Sequence, residues 1–359
     1  CLDLTLYDPR QADDCGSLIQ IDPEELKALQ IQKGSIWQEQ EQKLKEQAEY
    51  LSRQYHCVVT NPPYMGSSGM NADLKKFLDK HYLSSRADLM TCFMQRAMNF
   101  CLSKGFWGMI NLPSWMFLST FEKFRKGLIV NNKFDSMLHL GRGIFGSDFG
   151  SIAFTMNHRI PSIIEKGVYR RLFKEHVQVR AIETIKELFF DRSYGYYESN
   201  QMDFGKIPGS PIGYWIGPQF IDVFKRFKPL KEKVFCIQGI ITGNTEKLLR
   251  FWSEVSISNI QIDSDKFISG RHWISYTKGG EQRKWFGNNS YVINWKNKGQ
   301  DLIRSRNTNS SYYLKPCLTW TLITSAGFSA RYCDNGFLWD VSGSIGFPNQ
   351  KKEMNFILS

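Results

Sequence analysis

At 359 residues, 42% hydrophobic and 23% charged, the chain has the composition of an ordinary soluble protein and the length for two domains with real cores. No stretch approaches 18 consecutive apolar residues, which excludes a membrane-spanning helix. The formal charge of +11 is uneven: residues 1–60 hold eleven acids against six Lys and Arg, so residues 61–359 carry +16, and with 14% aromatics this makes nucleic acid the leading partner.

The first residue is Cys rather than Met and no signal sequence follows, so the chain is read as a piece of something longer. Its eight cysteines include no CxxC pair and no Cys/His cluster at zinc spacing. That argues for no metal site and no disulfide framework, and for a reduced, cytoplasmic setting. Nothing resembles a Ser/His/Asp arrangement, and no paired Asp and Glu-x-Lys segment at strand positions suggests a nuclease.

In chain order, Asp22, Pro23 and Glu25 supply an N-cap, a first-turn proline and an acid that open a polar helix, expected over residues 22–55 as an exposed insertion. The apolar run 57–60 predicts a buried parallel strand that ends on Asn61, Pro62, Pro63 and Tyr64. Residues 65–71, rich in Gly and Ser, are expected to be flexible and able to close over a substrate. A helix is predicted over 88–103 with Gly105 as its stop, then a strand over 106–111. Ser119 and Glu122 form a capping box for a helix to Val130, and strands over 134–140 and 151–156 flank a glycine-rich turn at 141–150. This order is the second half of a doubly wound α/β sheet ending in a hairpin, and residues 1–165 are expected to form a methyltransferase catalytic domain.

Asn61 to Tyr64 carry the chemistry. An amine conjugated with a ring or carbonyl is a poor nucleophile until both its hydrogens are held and its nitrogen can pyramidalise. The Asn61 side-chain oxygen can accept one hydrogen and the Pro62 carbonyl the other. The two prolines restrict the residues before them to extended backbone, so the acceptors are aimed in advance. Tyr64 offers a face on which a base turned out of the helix can stack, worth about 1–3 kcal/mol against the few kcal/mol that extrusion costs.

Residues 166–359 are expected to form a second, mixed and β-rich domain, incomplete at its C-terminus. Over 205–345, short aromatic runs alternate with Gly, Asn, Ser and basic residues, among them Arg271, Lys278, Arg283 and Lys284. Such interleaving suits a surface that tracks phosphates and inserts planar side chains. Taken singly, Trp252, Trp273, Trp285 and Trp295 read as core residues, and the basic loops between them as the binding candidates.

With these residues in hand, the chain resembles the PglX family of adenine-specific DNA methyltransferases from BREX phage-defence systems, and through it the N6-adenine methyltransferases of type IIG restriction enzymes. The resemblance rests on DDCGSLI at 13–19, NPPYMGSSGM at 61–70, Asp88 with Phe93, SWMFL at 114–118 with FEKFR at 121–125, and HLGRG at 139–143. It continues through KIPGSPIGYW at 206–215, YTKGGEQRKWFGN at 276–288, and residues 328–340 around Arg331 and Tyr332. It implies a Rossmann-like, S-adenosylmethionine-dependent catalytic domain followed by a DNA target-recognition domain, with duplex DNA and other BREX proteins as partners. Asn61 and Asp14 would touch the donor, whose glycine-rich loop is expected before residue 1. Phe149 and Phe154 are the candidates to sandwich the flipped base opposite Tyr64, and Arg331 joins the DNA contacts. Two other readings share parts of this pattern: methylation of a protein glutamine, and a DNA-recognition subunit with little activity of its own.

Overall fold

The computed structural model describes residues 15–28, 34, 36, 38–145, 150–174, 179–300, 302, 309–323, 327–350 and 353, and its contacts divide into two units, Cys1–Arg226 and Phe227–Ser359. The polar helix expected over 22–55 is two helices, α1 (Pro23–Ala28) and α2 (Gln38–Ser52). Between them Gly34 has a φ of 84°, which no helix continues through, and its N–H donates to the Gln38 side chain at 2.8 Å.

Strand β1 (Tyr55–Thr60) leads to a helix the sequence reading did not place, α3 (Ala72–His81). Asn71 caps it by accepting the Leu74 N–H at 2.8 Å, and Leu74 and Leu78 are buried one turn apart. Asp88 caps α4 (Leu89–Phe100), which stops short of the expected end because β2 (Cys101–Asn111) has already begun. Gly105 is therefore a strand residue and not a helix stop. A Cβ at that position would lie 2.8 Å from the His56 carbonyl oxygen, so glycine is what lets β1 and β2 approach. The Ser119 capping box does not form either: α5 (Glu122–Asn131) starts from Phe121 with no side-chain cap, and Glu122 accepts from Lys126 at 2.6 Å.

Strands β3 (Lys133–Arg142) and β4 (Gly150–Asn157) make the expected hairpin, and β4 inserts beside β2. Two further strands, β5 (Gly167–Arg171) and β6 (Tyr196–Ser199), complete a six-stranded sheet in the order β1-β2-β4-β3-β5-β6. β5 pairs in parallel with β3, so residues expected in a second domain extend the first sheet, and the division falls at 226/227 instead of 165/166. The block at 206–215 also belongs to the first unit, since Ile212 and Tyr214 lie in its core.

One face of this sheet is closed by α4 and α5. Met90, Met94 and Ala97 from α4, and Phe124, Leu128 and Ile129 from α5, pack with Trp107, Met109, Met137, Phe154 and Met156. The other face is covered at its far side by α6 (Ile182–Phe190), where Ile185 joins Leu140 and Leu172 against Leu138 and Ala153. Toward β1 it lies open among the described residues, and Val59 is 76% exposed. The expected burial of this strand is thus only half met: Val58 points into the core, while Cys57 and Val59 face a cleft of about 840 Å³.

The regular elements of the second unit are mostly strands. A five-stranded sheet orders β14 (Phe337–Trp339), β10 (Trp273–Thr277), β11 (Tyr291–Asn294) and β8 (Leu249–Phe251), with β9 (Ile260–Gln261) on β10. A four-stranded sheet orders β13 (Ala330–Cys333), β12 (Cys317–Thr321), β15 (Gly343–Pro348) and β7 (Val234–Ile237). Both feed one core through Tyr276, Ile293 and Trp339 on one side and Cys317, Cys333 and Ile345 on the other.

Arg125 explains why three separated blocks of the first unit stay together. Its buried guanidinium donates to the carbonyls of Trp115 at 2.7 Å, Leu118 at 3.0 Å, Ser210 at 2.8 Å and Gly209. Arg125→Met would take this donor from the Trp115, Gly209 and Ser210 carbonyls, at about 1–3 kcal/mol for each left unpaired, while the Leu118 carbonyl keeps the Phe121 N–H at 3.1 Å. The expected loss is about 3 kcal/mol or more, read as a lower midpoint of urea unfolding; a midpoint within error of wild type would contradict the anchoring role.

Candidate active site

β1 and β2 run in parallel with Thr60 opposite Met109, so the chain leaves the sheet at Asn61 beside the carboxyl end of β2. That is where open α/β sheets place their ligands. Pro62 is buried, Asn61 and Pro63 are exposed, and Tyr64 is half-buried against the core. The Tyr64 hydroxyl lies 2.8 Å from Asn61 Oδ1 and 3.2 Å from the Ile110 carbonyl oxygen, and it donates to them. Its ring is therefore pinned to β2, and its single proton is shared between the Asn61 amide oxygen and that carbonyl. Burial pushes the hydroxyl above its ordinary pKa and keeps that proton in place.

The segment after the motif is held rather than loose. Met65 N–H donates to Asp88 Oδ1 at 3.3 Å, Leu89 N–H to the Met65 carbonyl at 3.0 Å and Ser67 N–H to the Ala87 carbonyl at 3.1 Å. A single 3₁₀ turn, Ser67–Gly69, occupies the stretch expected to be flexible. Asp88 serves two ends at once, since the same oxygen accepts the Met90 N–H at 3.0 Å as the cap of α4. Burial raises its carboxyl above the ordinary carboxylate range even though both N–H groups pull the other way. The sequence signal for this clamp was present, an acid directly before an apolar helical run, but its reach back to Met65 is tertiary.

Of the other expected site residues, Phe154 is a core residue. It is 4% exposed, with its ring 5.5 Å from both Trp107 and Trp115, so it cannot stack a base. It lies on the sheet face that α4 and α5 cover. Phe149 and Asp14 lie outside the described residues. In the second unit, Lys278, Arg283 and Lys284 come together on the connection between β10 and β11, while Arg271 precedes β10 at its other end. Arg271 donates to the Ile260 carbonyl at 3.3 Å, Lys278 lies 5.5 Å from the Tyr291 ring centroid, and Arg283 and Lys284 are exposed. Arg331 is fully buried and donates to Thr321 Oγ1 at 3.3 Å, so it is not a surface contact. Trp295 is buried as expected, but Trp252 and Trp285 are exposed. No cluster of metal-ligating side chains occurs among the described residues, and no helix among them is long and apolar enough to cross a membrane.

Asp88→Ala removes the α4 cap and the hold on Met65 together and should cost about 1–2 kcal/mol, whereas Asp88→Asn keeps an acceptor of nearly equal capping strength. Chemical unfolding of the two variants tests this; equal destabilisation by Asn and Ala would show that charge, not hydrogen bonding, holds the segment.

Residues 10–145 match the family model of the Eco57I restriction-modification methylase. The chain is 38% identical over 314 residues to an adenine-specific methyltransferase BrxX of Escherichia coli O9:H4 (strain HS), covering 86% of this chain and 25% of that protein. It is 35% identical over 337 residues to an adenine-specific methyltransferase PglX of Lacticaseibacillus casei (strain Zhang), covering 86% of this chain and 27% of that protein. Among solved structures, the Type IIL restriction-modification enzyme MmeI in complex with DNA aligns with a TM-score of 0.54 at 12% identity, over 88% of this chain and 43% of that one. A nuclease-deletion mutant of the Type ISP enzyme LlaGI, in complex with a DNA substrate mimic, aligns at 0.51 and 13%, over 91% and 32%. These two likenesses speak for the fold alone. The chain spans about a quarter of the length of the two adenine-specific methyltransferases, and across most of its own length it is homologous to them.

Proposed function

We propose that the chain carries the base-accepting part of a site-specific DNA N6-adenine methyltransferase of BREX-type phage defence. On this reading the first unit is the later part of a Rossmann-like catalytic domain and the second a DNA target-recognition domain. The observation that carries it is the hydrogen-bonded pair of Asn61 and Tyr64 at the carboxyl end of β1. Homology to adenine-specific methyltransferases supports the acceptor, and the excess of basic residues after residue 60 supports a nucleic-acid partner.

Asn61 Oδ1 has two acceptor sites, and the Tyr64 hydroxyl uses one, so the second remains for an amine hydrogen. The Pro62 carbonyl takes the other hydrogen, and the nitrogen is left with its lone pair turned away from both. The Tyr64 ring stacks the extruded adenine while its hydroxyl orients the acceptor. S-adenosylmethionine, the donor this family implies, supplies a methyl group on a sulfonium. Asn61 is positioned to meet its methionine end. The described residues do not complete a donor site, however. Asp135, the one carboxylate lining the cleft, lies on β3, three strands from β1 and roughly 14 Å away at ordinary strand spacing. What the described residues contribute is the acceptor side of the reaction.

In the full-length gene product, Asn61→Ala should lower adenine methylation about 100- to 1,000-fold, the effect of removing one preorganised hydrogen bond to a charged transition state. Tyr64→Phe keeps the stack and loses one neutral hydrogen bond, so a loss of about fivefold is expected, whereas Tyr64→Ala should lose roughly thirtyfold or more. Single-turnover methylation of genomic DNA, read by modified-base sequencing, measures all three. Near-normal methylation by Asn61→Ala would overturn the assignment, and methylation of a protein glutamine with none of DNA would replace it.

A further inference from the structure

Trp285 and Phe286 stand in the connection between β10 and β11, 61% and 69% exposed. Exposure in a loose loop would say little, but this connection is braced along its length. Trp285 N–H donates to the Ala330 carbonyl at 2.9 Å, and the Trp285 carbonyl accepts the Tyr332 N–H at 2.7 Å, which ties the tip to β13 on either side of Arg331. Thr321 Oγ1 donates to the Gly280 carbonyl at 3.1 Å, Gln282 Nε2 to the Gly327 carbonyl at 3.1 Å and Asn288 Nδ2 to the Glu281 carbonyl at 3.1 Å. The backbone also bends against its own preference: Trp285 has a φ of 67° and Asn288 a φ of 62°. For a bulky aromatic that left-handed conformation is a true outlier, of the kind that persists where the surroundings impose it and that clusters at functional sites.

Cations surround the two rings. Arg283 and Lys284 directly precede them and are exposed, and Lys278 stands at the base of the connection. Arg331 lies beneath, with Nε and Nη2 lacking hydrogen-bond partners among the described residues. The acid of this connection, Glu281, sits 3.7 Å from Arg283 in an exposed pair, too weak to cancel the field. A partner that welcomes flat apolar rings flanked by positive charge presents stacked planes flanked by phosphates. An apolar protein surface would accept the rings but not the cations.

We propose that Trp285 and Phe286 form a wedge that enters the base stack of duplex DNA, with Arg283 and Lys284 holding the phosphates beside the opened step. The inference rests on the DNA reading above and assigns a role to residues of the second unit, whereas the acceptor motif belongs to the first. Aromatic wedges of this kind partly unstack one step and kink the helix by roughly 20–90°.

The test uses the full-length gene product and a duplex that carries its methylation site, with fluorophores at the two ends. Wild type should shorten the end-to-end distance by energy transfer. Trp285→Ala with Phe286→Ala should abolish that bend and weaken binding about thirtyfold or more, while leaving the slope of log affinity against log salt unchanged. Arg283→Ala with Lys284→Ala should instead lower that slope by about two. Because the Trp285 backbone braces the loop, Phe286→Ala alone is the second variant, expected to act in the same direction by about a third of the logarithm or more. A straight duplex with wild type, or a bend that survives in the double aromatic variant, would overturn the wedge while site-specific methylation leaves the DNA reading standing. No DNA binding by wild type at low salt would overturn both.

Discussion

The Tyr64 hydroxyl, held between Asn61 Oδ1 and the Ile110 carbonyl, is the interaction on which the acceptor geometry depends. It works because β1 and β2 are parallel and in a register that sets Thr60 opposite Met109, so the first residues beyond β1 meet the last residues of β2. A free asparagine amide rotates; this one turns its oxygen end to the Tyr64 hydroxyl, whose single proton it shares with the Ile110 carbonyl. The two prolines restrict the backbone between Asn61 and Tyr64, and Asp88 restricts it after Tyr64. Every degree of freedom removed here before substrate arrives is one that need not be lost in the transition state.

The scaffold behind the site relies on buried arginines that collect carbonyl groups from remote segments. Arg125 joins the segment after β2 to residues 209 and 210. Arg96 joins α4 to the N-terminal part of the unit by donating to the carbonyls of Ser17 at 2.8 Å, Ile19 at 2.7 Å and Leu51 at 2.7 Å, with its guanidinium 3.7 Å from the Phe100 ring centroid. In both cases burial lowers the pKa of the cation, and its hydrogen bonds to carbonyl dipoles compensate for the lost water. Arg331 in the second unit is the contrast: it is equally buried, but among the described residues its guanidinium has only Thr321 as a hydrogen-bond partner.

The open face of the first sheet complements this picture. Val59 and Phe106 lie exposed in the same cleft as Asn61, and its lining is largely apolar. Among the described residues the acceptor motif therefore stands at the border between a finished core and an open apolar face.

Sequence by itself determined what is local. The strand ending on Asn61, the Asp88 cap, the β3–β4 hairpin and the strand-rich character of the second unit are all legible because periodicity, capping side chains and turn residues act within a few positions. The same local logic missed α3, where the Gly and Ser residues before Asn71 masked its cap, and misread Gly105, whose role is set by the His56 carbonyl on another strand. Tertiary structure alone decided which face of each strand is covered. Phe154 and Val59 are both apolar strand residues, yet one is sealed beneath α4 and α5 and the other faces the open cleft. It also decided that Trp295 is buried and Trp285 exposed, that Arg331 lies under a loop instead of on it, and that the strands Gly167–Arg171 and Tyr196–Ser199 extend the first sheet. The physical reason is common to all of these: an apolar or charged side chain states what it prefers, but whether a partner comes to cover it depends on strands and helices far away in the chain.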